Sequence, residues 1–283
     1  MVKIMTDSSS LITVEEGQKK GILSIPLCVS IGDIHGRDLR MDMDQFYQMI
    51  GDGLLPTSSQ PPIGEVVDSF QEYTDQDIIN ISMADGLSGT YQSAVSARSM
   101  VEDHNRITVF NCRTLCGPQN YLVEQAQKMA AAGKDRETIL AWLEHAASQT
   151  ESFLIPQDFS FLRRGGRLTP VAASIGSLLK LKPVMKLTDD GKRLDKFALK
   201  RTLSSAVKAV SSYMSEHSVG AGHLLYLTHA NAKKDAELIR DHFHAIFPGM
   251  EIRLSELGAA FVTQGGPQCI AIQYIKKMDP VLS

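Results

Sequence analysis

No apolar run in this 283-residue chain approaches the roughly 20 residues needed to cross a bilayer, which argues against membrane insertion. A surplus of one charge is missing too. The 29 Lys and Arg against 32 Asp and Glu leave a net charge of -3, so there is no basic footprint for nucleic acid. Cysteine is scarce, with four in the chain. Cys112 and Cys116 are spaced C-x3-C, but no second Cys or His pair follows nearby, and a zinc site needs about four ligands. Cys28 and Cys269 sit in apolar runs, where buried reduced thiols are the common case. The start, MVKIMTDSSS, lacks the charged region and apolar core of a secretion signal, so the expected location is the cytoplasm. A G-x-S-x-G elbow and a Walker loop are both absent. His242 and His244 stand two apart on a predicted helix and do not share a face. Neither hydrolytic nor metal chemistry is visible.

What the chain does have is alternation. KIMTD (3–7), ILSIPLCVSI (22–31), DIINISM (77–83) and RITVFN (106–111) read as strands. Helical patterns separate them, at TVEEGQKK, 44–52, from Ile63, from the loop after Met83 to about Glu102, and at 117–132 and 135–149. Thr13 and Glu16 have the spacing of a capping box. DIHGRDLR (33–40) reads as a hairpin or loop around Gly36, and PTSSQPP as a loop. Strands separated by helices imply βαβ units on a mostly parallel sheet with helices on both faces, a Rossmann-like α/β domain over 1–155. Ligands of such sheets gather beyond the carboxyl ends of the strands, where Asp7, Ser8, Ser9 and the loop after Met83 lie.

The second half is mixed. VAASIGSLLKL (171–181) reads as a small-residue helix, and Asp189-Asp190-Gly191 as a hairpin turn. A helix carrying Leu203, Val207, Val210 and Met214 on one face follows. HLLYLTH (223–229), a helix at 232–247, EIRLSEL (251–257) and CIAIQYI (269–275) complete an α+β domain with a mixed sheet over 156–283.

Four segments are rich in small or polar residues. In SMADGLSGTYQSA (82–94), Ser88 could cap the next helix through the amide of Thr90 or Tyr91. Gly86, Ser88, Gly89 and Thr90 together also suit an anion at a helix start. PTSSQPP (56–62) alone is an ordinary turn. FSFLRRGGRLTP (159–170) sets Arg163, Arg164 and Arg167 around a glycine pair that would end a helical turn. Alone it reads as a solvated linker, with a docking surface for acidic or phosphorylated groups as the alternative. GAAFVTQGGPQ (258–268) reads as a strand-connecting loop in which Thr263 and Gln264 offer hydrogen bonds.

In order and spacing these segments, from TDSSS through SSQPP and SGTYQSA to FLRRGGR with its following LLKLKPV and the late Gly-Pro loop, resemble the DegV family of bacterial fatty-acid-binding proteins. The resemblance spans nearly the whole chain. It implies a two-domain α/β protein holding one long-chain fatty acid, with the carboxylate at the interdomain cleft and the tail in a tunnel of the second domain. It further implies no catalytic residue, no metal and no cofactor beyond the bound lipid. The implied partner is a separate ATP-dependent fatty acid kinase, which makes an acyl phosphate for phospholipid synthesis.

Carried over residue by residue, the resemblance makes Ser58, Ser88, Gly89 and Gln264 the carboxylate contacts. Ser58 stands where the family has a threonine, and Gln264 where many members have a histidine. An amide donates to a carboxylate but carries no proton near neutrality. Arg167 and Arg201 match positions associated with kinase docking. Burying about fourteen methylenes contributes on the order of 11 kcal/mol gross, before association and ordering costs. A carboxylate without donors would cancel several kcal/mol of that, so neutral hydroxyls and amides must serve it. Two rivals follow: a hydrolase with Ser88 as nucleophile, which needs a base beside the hydroxyl, and a diverged member binding another ligand.

Overall fold

The structure, a computed structural model, describes residues 1–174 and 181–279. The chain divides into two compact units, Met1–Ser148, to which it returns at Met278, and Gln149–Lys277.

The first unit runs β1 (Val2–Asp7), α1 (Val14–Lys20), β2 (Leu23–Ile25), β3 (Cys28–Ile31), β4 (Ile34–Arg37), α2 (Met43–Gly51) and β5 (Thr57–Ser59). It continues through α3 (Ile63–Gln71), β6 (Asp77–Ser82), α4 (Thr90–Ser99), β7 (Ile107–Asn111), α5 (Cys116–Ala131) and α6 (Arg136–Ala147). β2, β1, β6 and β7 form a wholly parallel sheet in that order. Ile78, Ile79 and Ile81 of β6 are fully buried, the continuous apolar run expected of a strand covered on both faces. The sheet packs Met5, Ile78 and Ile107 against Val66 and Phe70 of α3 and Ala94 and Ala97 of α4. Thr13 and Glu16 close the capping box on α1.

The expected strand over 22–31 is two strands serving two sheets. Pro26 lacks an amide donor and falls between them, and β3 leaves to form a small antiparallel sheet in the order β4, β3, β5. Its hairpin turns at Gly32, whose φ is +52°, and not at Gly36, which lies in β4 opposite Val29. PTSSQPP is likewise no plain loop. Thr57, Ser58 and Ser59 pair with Ser30, Val29 and Cys28.

The second unit runs β8 (Thr150–Ile155), α7 (Phe159–Gly165), α8 (Pro170–Ala173), β9 (Lys182–Leu187), β10 (Leu194–Lys200) and α9 (Leu203–Glu216). Then come β11 (His223–His229), α10 (Lys233–Ile246), β12 (Glu251–Glu256), α11 (Ala259–Gly265) and β13 (Ile270–Lys276). Its six-stranded mixed sheet has the order β10, β9, β8, β13, β11, β12, with only β11 and β12 parallel. β8 pairs with β13 and β9, so the division falls before this strand and not after residue 155. Val207, Val210 and Met214 of α9 are buried against Phe153, Val184, Leu225 and Ile272, the single face their spacing predicts. The helix expected over 171–181 is described only as α8; 175–180 lie outside the described residues. The expected loop at 258–268 contains α11, because Ala259, Ala260, Val262 and Thr263 are all buried and Gly266 stops the helix at a φ of +77°.

Candidate functional site

Because β1 and β6 are parallel neighbours, their carboxyl ends, Asp7 and Ser82, emerge side by side. The chain after β6 runs through the small-residue loop to α4, where Gly89 is the N-cap. The amides of a first helical turn have no partner inside the helix. Here the Thr90 N–H donates to Ser88 Oγ over 3.2 Å, and the two hydroxyls, Ser88 Oγ and Thr90 Oγ1, share a hydrogen bond of 2.8 Å. A second segment closes on the same point. A side chain at Gly89 would come within 3.3 Å of Gln60 Oε1, so the SSQPP segment reaches the helix start through Gln60, and glycine leaves room for it. Ser58 is held two residues earlier by β5 pairing. Ser58, Ser88 and Gly89 thus belong to the first unit, with its two segments in contact through Gln60.

Beneath this loop lies a buried polar network. Asp7 Oδ2 accepts from the Met83 N–H at 3.2 Å, and Oδ1 accepts from the Ser9 N–H at 3.0 Å and contacts Ser9 Oγ. Ser9 Oγ also lies 2.6 Å from Gln119 Oε1, and Gln119 Nε2 donates to Thr6 Oγ1 and the Ile81 carbonyl. Ser8 Oγ donates to Asp38 Oδ2 and accepts from the Leu27 N–H. Burial pushes the Asp7 carboxyl above its ordinary value, partly offset by hydrogen bonds from Ser9, Met83 and Gln119. A small cavity of about 10 Å³ is lined by Thr6, Asp7, Asn80, Ser82, Thr90 and Ser93 among others, close to the size of one water.

A nucleophilic Ser88 needs a base within reach. Its hydroxyl is bonded instead to Thr90, which offers an amide and an alcohol.

The second unit holds the other expected residues. Gln264 stands on α11 and donates through Nε2 to Thr263 Oγ1 at 3.2 Å. Its Oε1 is buried with no hydrogen-bond partner among the described residues, and it packs where a side chain at Gly165 would stand. Arg167 is adjacent, donating to the Gly165 carbonyl. Burial, with Arg193 close by, pulls its guanidinium below the ordinary value. Arg163 and Arg164 are exposed on α7, over the rings of Phe159 and Phe161, and Gly166 ends that helix at a φ of +70°. Arg201 is exposed and follows the far end of β10, whereas the Arg167 carbonyl accepts from Leu194 at its near end. A strand of that length separates the two arginines by about 20 Å.

Of these groups, Gln60 stands in the SSQPP segment without a role of its own being readable there, and Gln119 carries no signal, since a glutamine on a helix reads as surface. Cys28, expected buried, is partly exposed and accepts from Arg37 at 3.1 Å. Cys112 and Cys269 are buried, as are Cys116 and its neighbours at the start of α5. Burial raises both the Cys112 thiol and the Cys269 thiol, the latter to about 12. Among the described residues no cluster of three or more His, Cys, Asp or Glu could hold a metal ion, and no helix is long and apolar enough to cross a membrane.

Residues 1–277 match a family described as "Uncharacterised protein, DegV family". A DegV domain-containing protein of Halalkalibacterium halodurans is 30% identical over 283 residues, covering 98% of this chain and 99% of that protein. Among solved structures, DegV of Bacillus subtilis, described as a fatty acid binding protein, is 31% identical with a TM-score of 0.86, covering 98% of this chain and 99% of that one. A DegV family protein from Thermus thermophilus, described by its fatty acid binding, shares the fold at 24% identity and a TM-score of 0.88, with 98% and 99% covered. Both the α/β architecture, with its parallel sheet and its mixed one, and the match along nearly the whole length agree: this chain is a member of the DegV family.

Proposed function

We propose that this chain binds a long-chain fatty acid and has no catalytic activity of its own. The observation that carries the reading is the contact between its two hydroxyl-rich segments at a helix start, where Gln60 lies against Gly89 beside Ser88. The description of the 31% identical Bacillus subtilis relative as a fatty acid binding protein supports it. On this reading Ser58, Ser88 and the first-turn amides at Gly89 receive the carboxylate. Neutral donors at a helix start lower the cost of drying an anion without needing a lysine. Gln264 is a further candidate ligand contact, with a buried amide oxygen that still lacks a partner among the described residues.

We also propose that the bound acid is presented to a separate ATP-dependent fatty acid kinase, as the sequence resemblance implies, with Arg167 and Arg201 as docking residues. Their separation along β10 calls for a partner surface that spans it. We place the protein in the cytoplasm, a reading supported by its four thiols.

Native mass spectrometry of the intact protein purified from a bacterial host, before and after adding palmitate or oleate, tests the binding. A mass increment equal to one fatty acid is expected. Apo protein alone, with no uptake of either acid, would overturn the reading. Reconstitution with a fatty acid kinase and ATP tests the second step, with acyl phosphate expected from the wild type and less from Arg167→Ala. Unchanged turnover in both Arg167→Ala and Arg201→Ala would remove the docking assignment.

A further inference from the structure

The network under the loop does not balance its protons if Asp7 is a carboxylate. Two oxygen–oxygen contacts meet at Ser9 Oγ, one to Asp7 Oδ1 and one to Gln119 Oε1. A serine hydroxyl brings one proton, and sharing it between two acceptors would leave each with a bent, weakened bond. The amide oxygen of Gln119 brings none. Its orientation is fixed from the other side, because Nε2 donates to the Ile81 carbonyl and to Thr6 Oγ1. With the amide reversed, two carbonyl oxygens would face each other. The Ser9 proton therefore goes to Gln119, and the remaining contact takes its proton from Asp7. The carboxyl then donates to Ser9 Oγ while accepting from the Ser9 and Met83 amides.

Asp7 is 2% exposed and lies beneath both ends of the loop. It holds the Met83 amide where the loop begins, and it lines the small cavity that Thr90 lines where the loop ends. We propose that Asp7 is the positioning residue of this site, a neutral carboxylic acid that fixes the 83–90 loop while adding no negative charge behind a place for an anion. The proposal rests on the fatty-acid reading above.

The ionisable groups around Asp7 are few. Cys112, just after β7, feels both Asp7 and its neighbour Arg113, burial keeps that thiol protonated, and Arg113 is itself paired with Glu144 at 2.7 Å. Asp38 is reached across Ser8, and Asp85 lies in the loop two residues after Met83. None of Cys112, Asp38 and Asp85 is a cation that would hold Asp7 ionised. Burial raises the Asp7 value in the folded state, so the clamp is complete at low pH and is lost as pH rises through that raised value. On ionisation Ser9 must turn its proton back to Asp7, which strands Gln119 Oε1, and a second negative charge arises under the loop.

Two measurements on the whole protein test this. The infrared difference between ligand-free wild type and Asp7→Asn, near neutral pH, is expected to contain a protonated-carboxyl band that the variant lacks. A difference showing only carboxylate bands would overturn the proposal, whatever the protein binds. If Asp7→Asn does not fold, carbon NMR of the wild-type aspartate carboxyls reads the same proton directly, and an Asp7 resonance in the ionised position would be equally fatal. The second measurement is the affinity for a fluorescent fatty acid in wild type and Asp7→Asn, on either side of the pH at which the protonated-carboxyl band disappears. Wild-type affinity should fall by up to about tenfold per pH unit above the ionisation of Asp7, the limit for a site needing one proton, while the variant follows only the ligand. Superimposed profiles with good binding would sink the positioning role alone. Failure of the wild type to bind at every pH would sink the fatty-acid reading instead.

Discussion

The two units make opposite use of their interiors. The first buries Thr6, Asp7, Ser8, Ser9, Ser10, Asp38, Asn80, Ser82 and Gln119, most of them at the carboxyl ends of β1 and β6. The second packs an apolar cluster around Phe153, Val210, Leu227, Phe243 and Ile272, and buries fewer polar groups, such as Ser152, which accepts from Gln273 on the neighbouring strand. Burying polar groups costs free energy unless each finds a partner. The first unit accepts that cost where a loop must be held in one place, and the second puts its interior into cohesion.

The largest effect should come from cutting the apolar side of this contrast. Phe153 is 1% exposed and meets Phe197 and Tyr213 edge to face at 5.0 and 5.4 Å. Phe153→Ala should lower stability by about 3–5 kcal/mol in urea unfolding; a loss under 1 kcal/mol would mean the second unit is not held by this cluster. Next comes the polar side. Gln119→Leu leaves Ser9 and Thr6 without their amide partner and should cost about 1–3 kcal/mol, read from the same titration. A neutral result would show that the network is dispensable and erase the contrast.

Smaller is Ser88→Ala, which removes the hydroxyl that caps Thr90. An affinity loss of about tenfold, near 1.4 kcal/mol, is expected in fatty acid titration, with about 1 kcal/mol of stability. The smallest concerns His229, a buried ring in the second unit that accepts from the Ala232 N–H. Burial lowers its value, so the unfolded chain takes up the proton first and stability falls as pH drops below about 6.5. Melting temperatures measured across that range should slope in wild type and slope less in His229→Gln, the remainder coming from His223 and His242, which burial lowers too.

Much of this arrangement was legible in the residues. Ile78, Ile79 and Ile81 announce a doubly covered strand, and the alternation of such runs with helical spacing announces a parallel sheet. The glycines and serines after Met83 marked the loop. What failed was local. Pro56 and Pro61 disguised β5, because so short a strand has no alternation to read, and the glycines around α11 disguised a helix whose stability comes from burial. The roles of Gln60 and Gln119 were unreadable for a different reason. Their roles depend on partners far along the chain, 113 residues away in the case of Gln119 and Thr6, and no local pattern encodes such a pairing.

Tyr121 carries one more implication. Its hydroxyl donates to the Met278 carbonyl and accepts from the Met278 N–H, tying α5 to a residue at the far end of the chain. A ribosome delivers everything up to Ser148 first, then the whole second unit, and Met278 only afterwards. The nascent first unit must therefore wait, with that tether unmade, through the synthesis of its neighbour, and a product truncated just before Met278 would emerge with both lobes translated and the tether missing.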